Sequence, residues 1–231
     1  MIDFNYEKII IIKYTSGGGG RFLLNCLGLS DDSILLSPIL SKIQLKNGLS
    51  IKQKLRCLLF ALEQSRLKKS WNDLNLVEYN FFGISDHDYY EMSENDIKNF
   101  EYNDIVDQCI KNNKFIFISE HFDEYIQKLL NCWKNSKFIL FENEENFIKS
   151  RNNIIQGESR KKYFEQTNKL NLKSIEGLYD NPSYKWNSEW YFSKEKTISE
   201  IKKIYELFDM TGFNEKAISL YYDKWMSVIF N

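Results

Sequence analysis

Apolar and polar positions along the chain fall into short blocks whose period switches between strand-like and helix-like. Residues 9–12 are four consecutive isoleucines between Lys8 and Lys13. A continuous β-branched run of this kind reads as a strand buried on both faces, as in a parallel sheet. Four consecutive glycines, Gly17 to Gly20, follow, and Arg21, Phe22, Leu23, Leu24, Asn25, Cys26 and Leu27 then supply a helix. Ser50 and Gln53 have the spacing of a capping box, with Ile51, Leu55, Leu58, Leu59 and Leu62 behind them at helical intervals. Residues 74–84 contain a strand ending near Gly83, and residues 93–112 read as helical with a break near Asn103. Residues 114–118 form a clear strand that runs into Ser119, Glu120 and His121, and an amphipathic helix follows with Phe122, Ile126, Leu129, Leu130 and Trp133 on one face. Residues 137–141 are a further strand, ending at Glu142, and residues 146–152 begin another helix. The pattern weakens over 153–184. Thr197 and Glu200 then make a second capping box, and Gly212 turns the chain before a last helix from Asn214 that carries Ile218, Tyr221, Trp225 and Ile229 inward. The short segment around Pro38 has no clear period.

Strand and helix alternate from residue 9 to residue 152, which argues for an α/β domain with a mostly parallel sheet and a helical C-terminal part. In open sheets of this type, ligands bind beyond the carboxyl ends of the strands. The glycine run, His121 and the turn from Glu142 to Arg151 all follow strand ends, so one sheet edge is expected to gather them. No internal repeat and no long linker divides the chain, and a single domain over residues 1–231 is expected.

Composition narrows the function classes. The chain has 31 basic and 32 acidic residues, a formal net charge of −1, and therefore no global field to attract nucleic acid. Any anion site must be local. The four cysteines, Cys26, Cys57, Cys109 and Cys132, form no C-x-x-C pair, and only two histidines accompany them, so no metal site is expected. The thiols are read as buried and reduced, in keeping with a cytoplasmic protein. Neither a signal peptide nor a stretch approaching the ~20 apolar residues of a membrane span is seen, and no membrane partner is expected.

Strand, glycine loop and helix is an arrangement in which backbone N–H groups surround an anion at a helix N-terminus. The alternative is a plain turn, since glycine reaches positive φ at no steric cost. The run departs from the G-x-x-x-x-G-K-[ST] phosphate loop, because Arg21 and Phe22 stand where the lysine and the Mg²⁺-binding hydroxyl would be. ATP hydrolysis is disfavoured on that ground, while phosphate binding is not. Arg21 is either a bidentate phosphate ligand or a solvated first-turn arginine. His121 is either a general base or a structural histidine. His87, between Asp86 and Asp88, reads as an exposed loop residue, and Trp186, Trp190, Tyr191 and Trp225 read as core rather than as an acceptor pocket.

The order of these elements resembles the sulfotransferases that use 3′-phosphoadenosine 5′-phosphosulfate (PAPS). The resemblance covers residues 8–27 and 114–151, and loosely the aromatic tail from Trp186 to Trp225. It implies a three-layer P-loop-like fold and transfer of a sulfuryl group to a hydroxyl on a small molecule, glycan or peptide. It also implies that Ser16, Gly17, Gly18, Gly19, Gly20, Arg21 and Phe22 hold the 5′-phosphosulfate, that His121 with Arg21 is catalytic, and that Ser150, supported by Arg151, binds the 3′-phosphate. Two positions depart from the family: Gly17 stands at its lysine and Glu142 at its 3′-phosphate arginine. A P-loop kinase or other nucleotide-dependent transferase, with Glu120 and Glu142 as metal-binding carboxylates, is the alternative. A non-catalytic member of the fold that binds a phosphorylated ligand is another.

Overall fold

A computed structural model describes residues 6–15, 18–33, 35–39, 42–46, 49–67, 83–85, 109–120, 123–152 and 181–230. Ser16, Gly17, His87, His121, most of the helix expected over 93–112 and the basic cluster at 160–162 lie outside the described residues. The chain falls into two compact units, Met1–Gly20 with Gly83–Glu189 and Arg21–Phe82 with Trp190–Asn231.

The first unit is built on an all-parallel sheet. Its strands are β1 (Ile9–Lys13), β4 (Gly83–Ser85), β5 (Ile116–Glu120), β6 (Lys137–Glu142) and β7 (Tyr184–Asn187), in the spatial order β4-β5-β1-β6-β7. The isoleucine run lies at the centre. Ile9, Ile10, Ile11 and Ile12 are fully buried, and even Lys13 is only 6% exposed, as expected of a strand flanked on both sides. Ile10 aligns with Phe117 on one neighbour and Lys137 on the other. Helices α3 (Asp123–Cys132) and α4 (Glu144–Asn152) belong to this unit and bury Ile126 and Leu129, and Phe147 and Ile148, respectively. β7 was not foreseen as a strand; the aromatic segment from Tyr184 contributes Trp186 as its one fully buried residue.

Strand order fixes where a ligand site falls. From β1 the chain goes on to form β4 and β5 on one side, and from β6 it goes on to β7 on the other. β1 and β6 are adjacent and their chain continues to opposite sides of the sheet, which makes the carboxyl ends of this pair the crevice position at which open parallel sheets bind ligands.

The second unit holds α1 (Gly20–Gly28, from its second residue onward), a hairpin of β2 (Leu35–Ile39) and β3 (Lys42–Lys46), α2 (Ile51–Leu67), α5 (Lys194–Leu207) and α6 (Glu215–Ile229). The unassigned segment around Pro38 is thus an antiparallel hairpin, with Pro38 opposite Ile43. The capping box before α2 forms as expected: Ser50 N–H donates to Gln53 Oε1 at 2.9 Å, and Gln53 N–H donates to Ser50 Oγ at 3.4 Å. The one expected at Thr197 does not. α5 starts earlier, at the N-cap Ser193, and Thr197 sits inside the helix with its hydroxyl donating to the Trp190 carbonyl at 2.6 Å. Asn214 caps α6 by accepting from Ala217 N–H at 2.9 Å.

A cluster of aromatic rings sits among the buried leucines and isoleucines of this unit. Phe22 stacks on Trp225 at 4.2 Å and on Tyr221 at 5.4 Å, and Tyr191 and Tyr222 present their edges to it. Tyr205 reaches the Cys26 carbonyl at the end of α1 with its hydroxyl at 2.9 Å, and Asn25 donates to the Tyr221 hydroxyl at 2.8 Å. Lys54 on α2 is buried. Its ammonium donates to the Ser30 carbonyl, to the Ser33 carbonyl at 3.0 Å and to the Ser33 hydroxyl at 2.9 Å, satisfying carbonyls just beyond the end of α1.

Candidate functional site

The crevice at the ends of β1 and β6 is where the described residues gather polar chemistry. Tyr14 and Thr15 leave β1, and Gly18 turns the chain back by donating from its N–H to the Thr15 carbonyl at 2.7 Å. On the β6 side, Asn143 takes a left-handed backbone (φ 54) that ends the strand and starts α4 at Glu144. That turn aims the Glu144 carboxylate into the glycine loop. Thr15 N–H donates to both of its oxygens, at 2.8 and 3.0 Å, and the Thr15 hydroxyl donates to Oε2 at 2.6 Å.

The glycines are shaped to this contact. A Cβ on Gly18 would overlap Glu144 Oε1, and one on Gly20 would fall within the Tyr14 ring. Gly19 has φ 89, open only to residues without a Cβ penalty. Burial pushes the Glu144 carboxyl up from its ordinary range, against the downward pull of the two Thr15 donors and the Lys13 charge. The loop therefore already holds an oxyanion, supplied by the chain itself.

The strand ends next to this crevice carry further charge. Glu120, the last residue of β5, pairs in register with Lys13, and His121 is the next residue in the sequence. Glu142, the last residue of β6, forms an ion pair with Lys185 of β7 at 2.8 Å.

The remaining expected site residues are spread out. Arg21 lies in the first turn of α1, half-buried, and its charge acts on Tyr221. Phe22 has its side chain in the aromatic core, so it offers a ligand only its backbone. Ser150 is six residues beyond Glu144, about 9 Å along α4, and its hydroxyl donates to the Asn146 carbonyl at 2.9 Å. Arg151 is the next residue of that helix. Trp186, Tyr191 and Trp225 are core, and Trp190 carries the Lys196 ammonium 5.2 Å from its ring centre. Cys26, Cys57, Cys109 and Cys132 are free thiols, and no group of potential metal ligands occurs among the described residues. None of their helices is long and apolar enough to cross a membrane.

Glu144 belongs to no motif. Only its position, two residues past a strand end, hints at the site, and the hint becomes readable once β6 is known to lie beside β1.

The structure is α/β with a parallel sheet and accompanying helices. No protein-family model matches the chain, and no curated protein sequence matches it significantly.

Proposed function

We propose that the protein is a cytosolic sulfotransferase-like enzyme with a P-loop-like fold. In this reading it transfers a sulfuryl group from PAPS to a hydroxyl acceptor. One observation carries the reading: strand order brings the glycine loop to the β1/β6 crevice, beside the β5 end that leads into His121. The donor set of the loop suits an oxyanion, since Thr15 already binds a carboxylate through its N–H and hydroxyl. In this reading the donor's 5′-phosphosulfate is bound by the loop and Arg21, and Ser150 and Arg151 are the candidates for its 3′-phosphate. In the transfer, a bond forms between the acceptor oxygen and sulfur as the bond from sulfur to the 5′-phosphate oxygen breaks. His121 takes the acceptor's proton. Phe22, at the position where a phosphate loop presents its Mg²⁺-binding hydroxyl, has its ring in the aromatic core, which favours this reading over a P-loop kinase.

Thermal unfolding with adenosine 3′,5′-bisphosphate, compared with ATP plus Mg²⁺, tests it. A ligand at about 100 times its Kd adds about 2.7 kcal/mol of stability. Stabilisation by the bisphosphate alone supports the reading, and stabilisation only by ATP plus Mg²⁺ replaces it with the kinase. With an acceptor in hand, His121→Ala is expected to lower kcat by about 10²–10⁴-fold; full activity in that variant removes the assigned base. A second reading, a non-catalytic binder of phosphorylated ligands, draws on the carboxylate already seated in the loop, and measured turnover excludes it.

A further inference from the structure

We infer that Glu144 is the resident anion of the glycine loop, a built-in stopper that a ligand's phosphate or sulfate must displace in order to bind. The inference rests on the glycine loop being an anion site, and it adds how that site is regulated. Three hydrogen bonds from one residue, Thr15, converge on the carboxylate from its backbone and its side chain. A loop N–H and a hydroxyl are the groups that an incoming oxyanion needs, so carboxylate and ligand compete for the same donors. Gly18 is bare where Oε1 rests against it, so the carboxylate fills the space that a Cβ at position 18 would take.

The competitor is also poised to leave. It sits on the first residue of a helix, directly after the left-handed turn at Asn143, so a change at that one hinge swings it out while β6 keeps its register. Its burial disfavours the charged form by more than the Thr15 bonds and the Lys13 charge favour it. When an oxyanion replaces the carboxylate, negative charge remains beside Lys13. Glu145, the next residue, is exposed and pairs with Lys149 at 3.9 Å, which makes it a control of equal charge and near-equal position.

The test uses the full chain and two probes, inorganic pyrophosphate and adenosine 3′,5′-bisphosphate, with affinities from calorimetric titration. Glu144→Gln keeps the size and one acceptor oxygen but removes the charge that competes. It is expected to bind pyrophosphate at least about tenfold more tightly than the wild type, with Glu145→Gln unchanged. Equal or weaker binding by Glu144→Gln, with the wild type still binding, overturns the stopper and leaves the anion site standing. If neither protein binds either probe, the anion site itself falls and the stopper with it. A second measurement covers a variant that fails to fold: in wild-type protein with ¹³C-labelled glutamate carboxyls, saturating pyrophosphate is expected to shift the Glu144 signal and leave Glu145 in place. Binding without that shift overturns the inference.

Discussion

The two compact units both bury aliphatic and aromatic side chains, but they are organised around different centres. The sheet unit is centred on the β-branched run Ile9, Ile10, Ile11 and Ile12, with rings such as Phe117, Phe138 and Trp186 on the neighbouring strands. The helical unit is centred on a ring cluster, Phe22 against Trp225, Tyr221, Tyr191 and Tyr222, packed among leucines and isoleucines and tied down by hydroxyls such as that of Tyr222, which donates to the Tyr191 carbonyl at 2.5 Å. A β-branched core packs the interior of a parallel sheet and concentrates chemistry at one edge. An aromatic core packs between helices and consumes polar groups inside itself. The difference teaches why consecutive residues have unlike duties: Gly18, Gly19 and Gly20 are dictated by the sheet edge, and Phe22, two residues on, by the ring cluster.

If that contrast holds, damage should rank by what each residue is embedded in. Phe22→Ala removes the ring at the centre of the aromatic cluster and is expected to cost about 3–5 kcal/mol in urea unfolding. A loss below about 1 kcal/mol would mean that the cluster does not hold its unit together. Gly18→Ala forces a Cβ against Glu144 and is expected to cost about 1–3 kcal/mol. The double variant Gly18→Ala, Glu144→Ala should recover part of that loss, because the obstructing carboxylate is gone; a purely additive result would place the strain elsewhere.

A smaller effect follows from pH. The Glu144 carboxyl is raised in the fold by burial, so the folded form takes up this proton at higher pH than the unfolded form. Its contribution to stability is full below the unfolded pKa and lost as pH rises through the folded one. Wild type is therefore expected to gain stability relative to Glu144→Gln as pH falls from neutral toward the ordinary carboxylate range, read from paired urea midpoints. A constant difference across that window would show that the carboxylate is not desolvated. The smallest signal is chemical. Burial pushes the Cys109 thiol up to about 12 and that of Cys26 well above its ordinary value. Both are expected to resist alkylation at pH 8 in the folded chain, with partly exposed Cys57 and Cys132 reacting first by mass-spectrometric mapping.

Legibility followed the range of the interactions involved. β1, β5, β6 and the helix after β5 were readable because hydrophobic period is written locally. The Ser50–Gln53 cap was readable because both of its partners lie within one turn. The same motif misled at Thr197, whose hydroxyl bonds the Trp190 carbonyl, while the true cap at Ser193 lacks a glutamate or glutamine three residues later. Lys54 gave no sign of burial, since the carbonyls that hold it lie more than twenty residues earlier in the chain. The candidate edge could be anticipated from the strand ends, but the Thr15–Glu144 pair spans 129 positions and exists only through the adjacency of β1 and β6.

The fit between Gly18 and Glu144 has a consequence for how such a sequence can drift. A Cβ at position 18 meets the Glu144 carboxylate as well as the Thr15 carbonyl oxygen, so position 18 cannot change freely while glutamate stays at 144. Among chains that diverge from this one, a side chain at position 18 should be accompanied by a shorter residue at 144, and glycine at 18 should be retained wherever glutamate is. The pair would stand out as a covarying couple in an alignment, with each residue recording the history of the other.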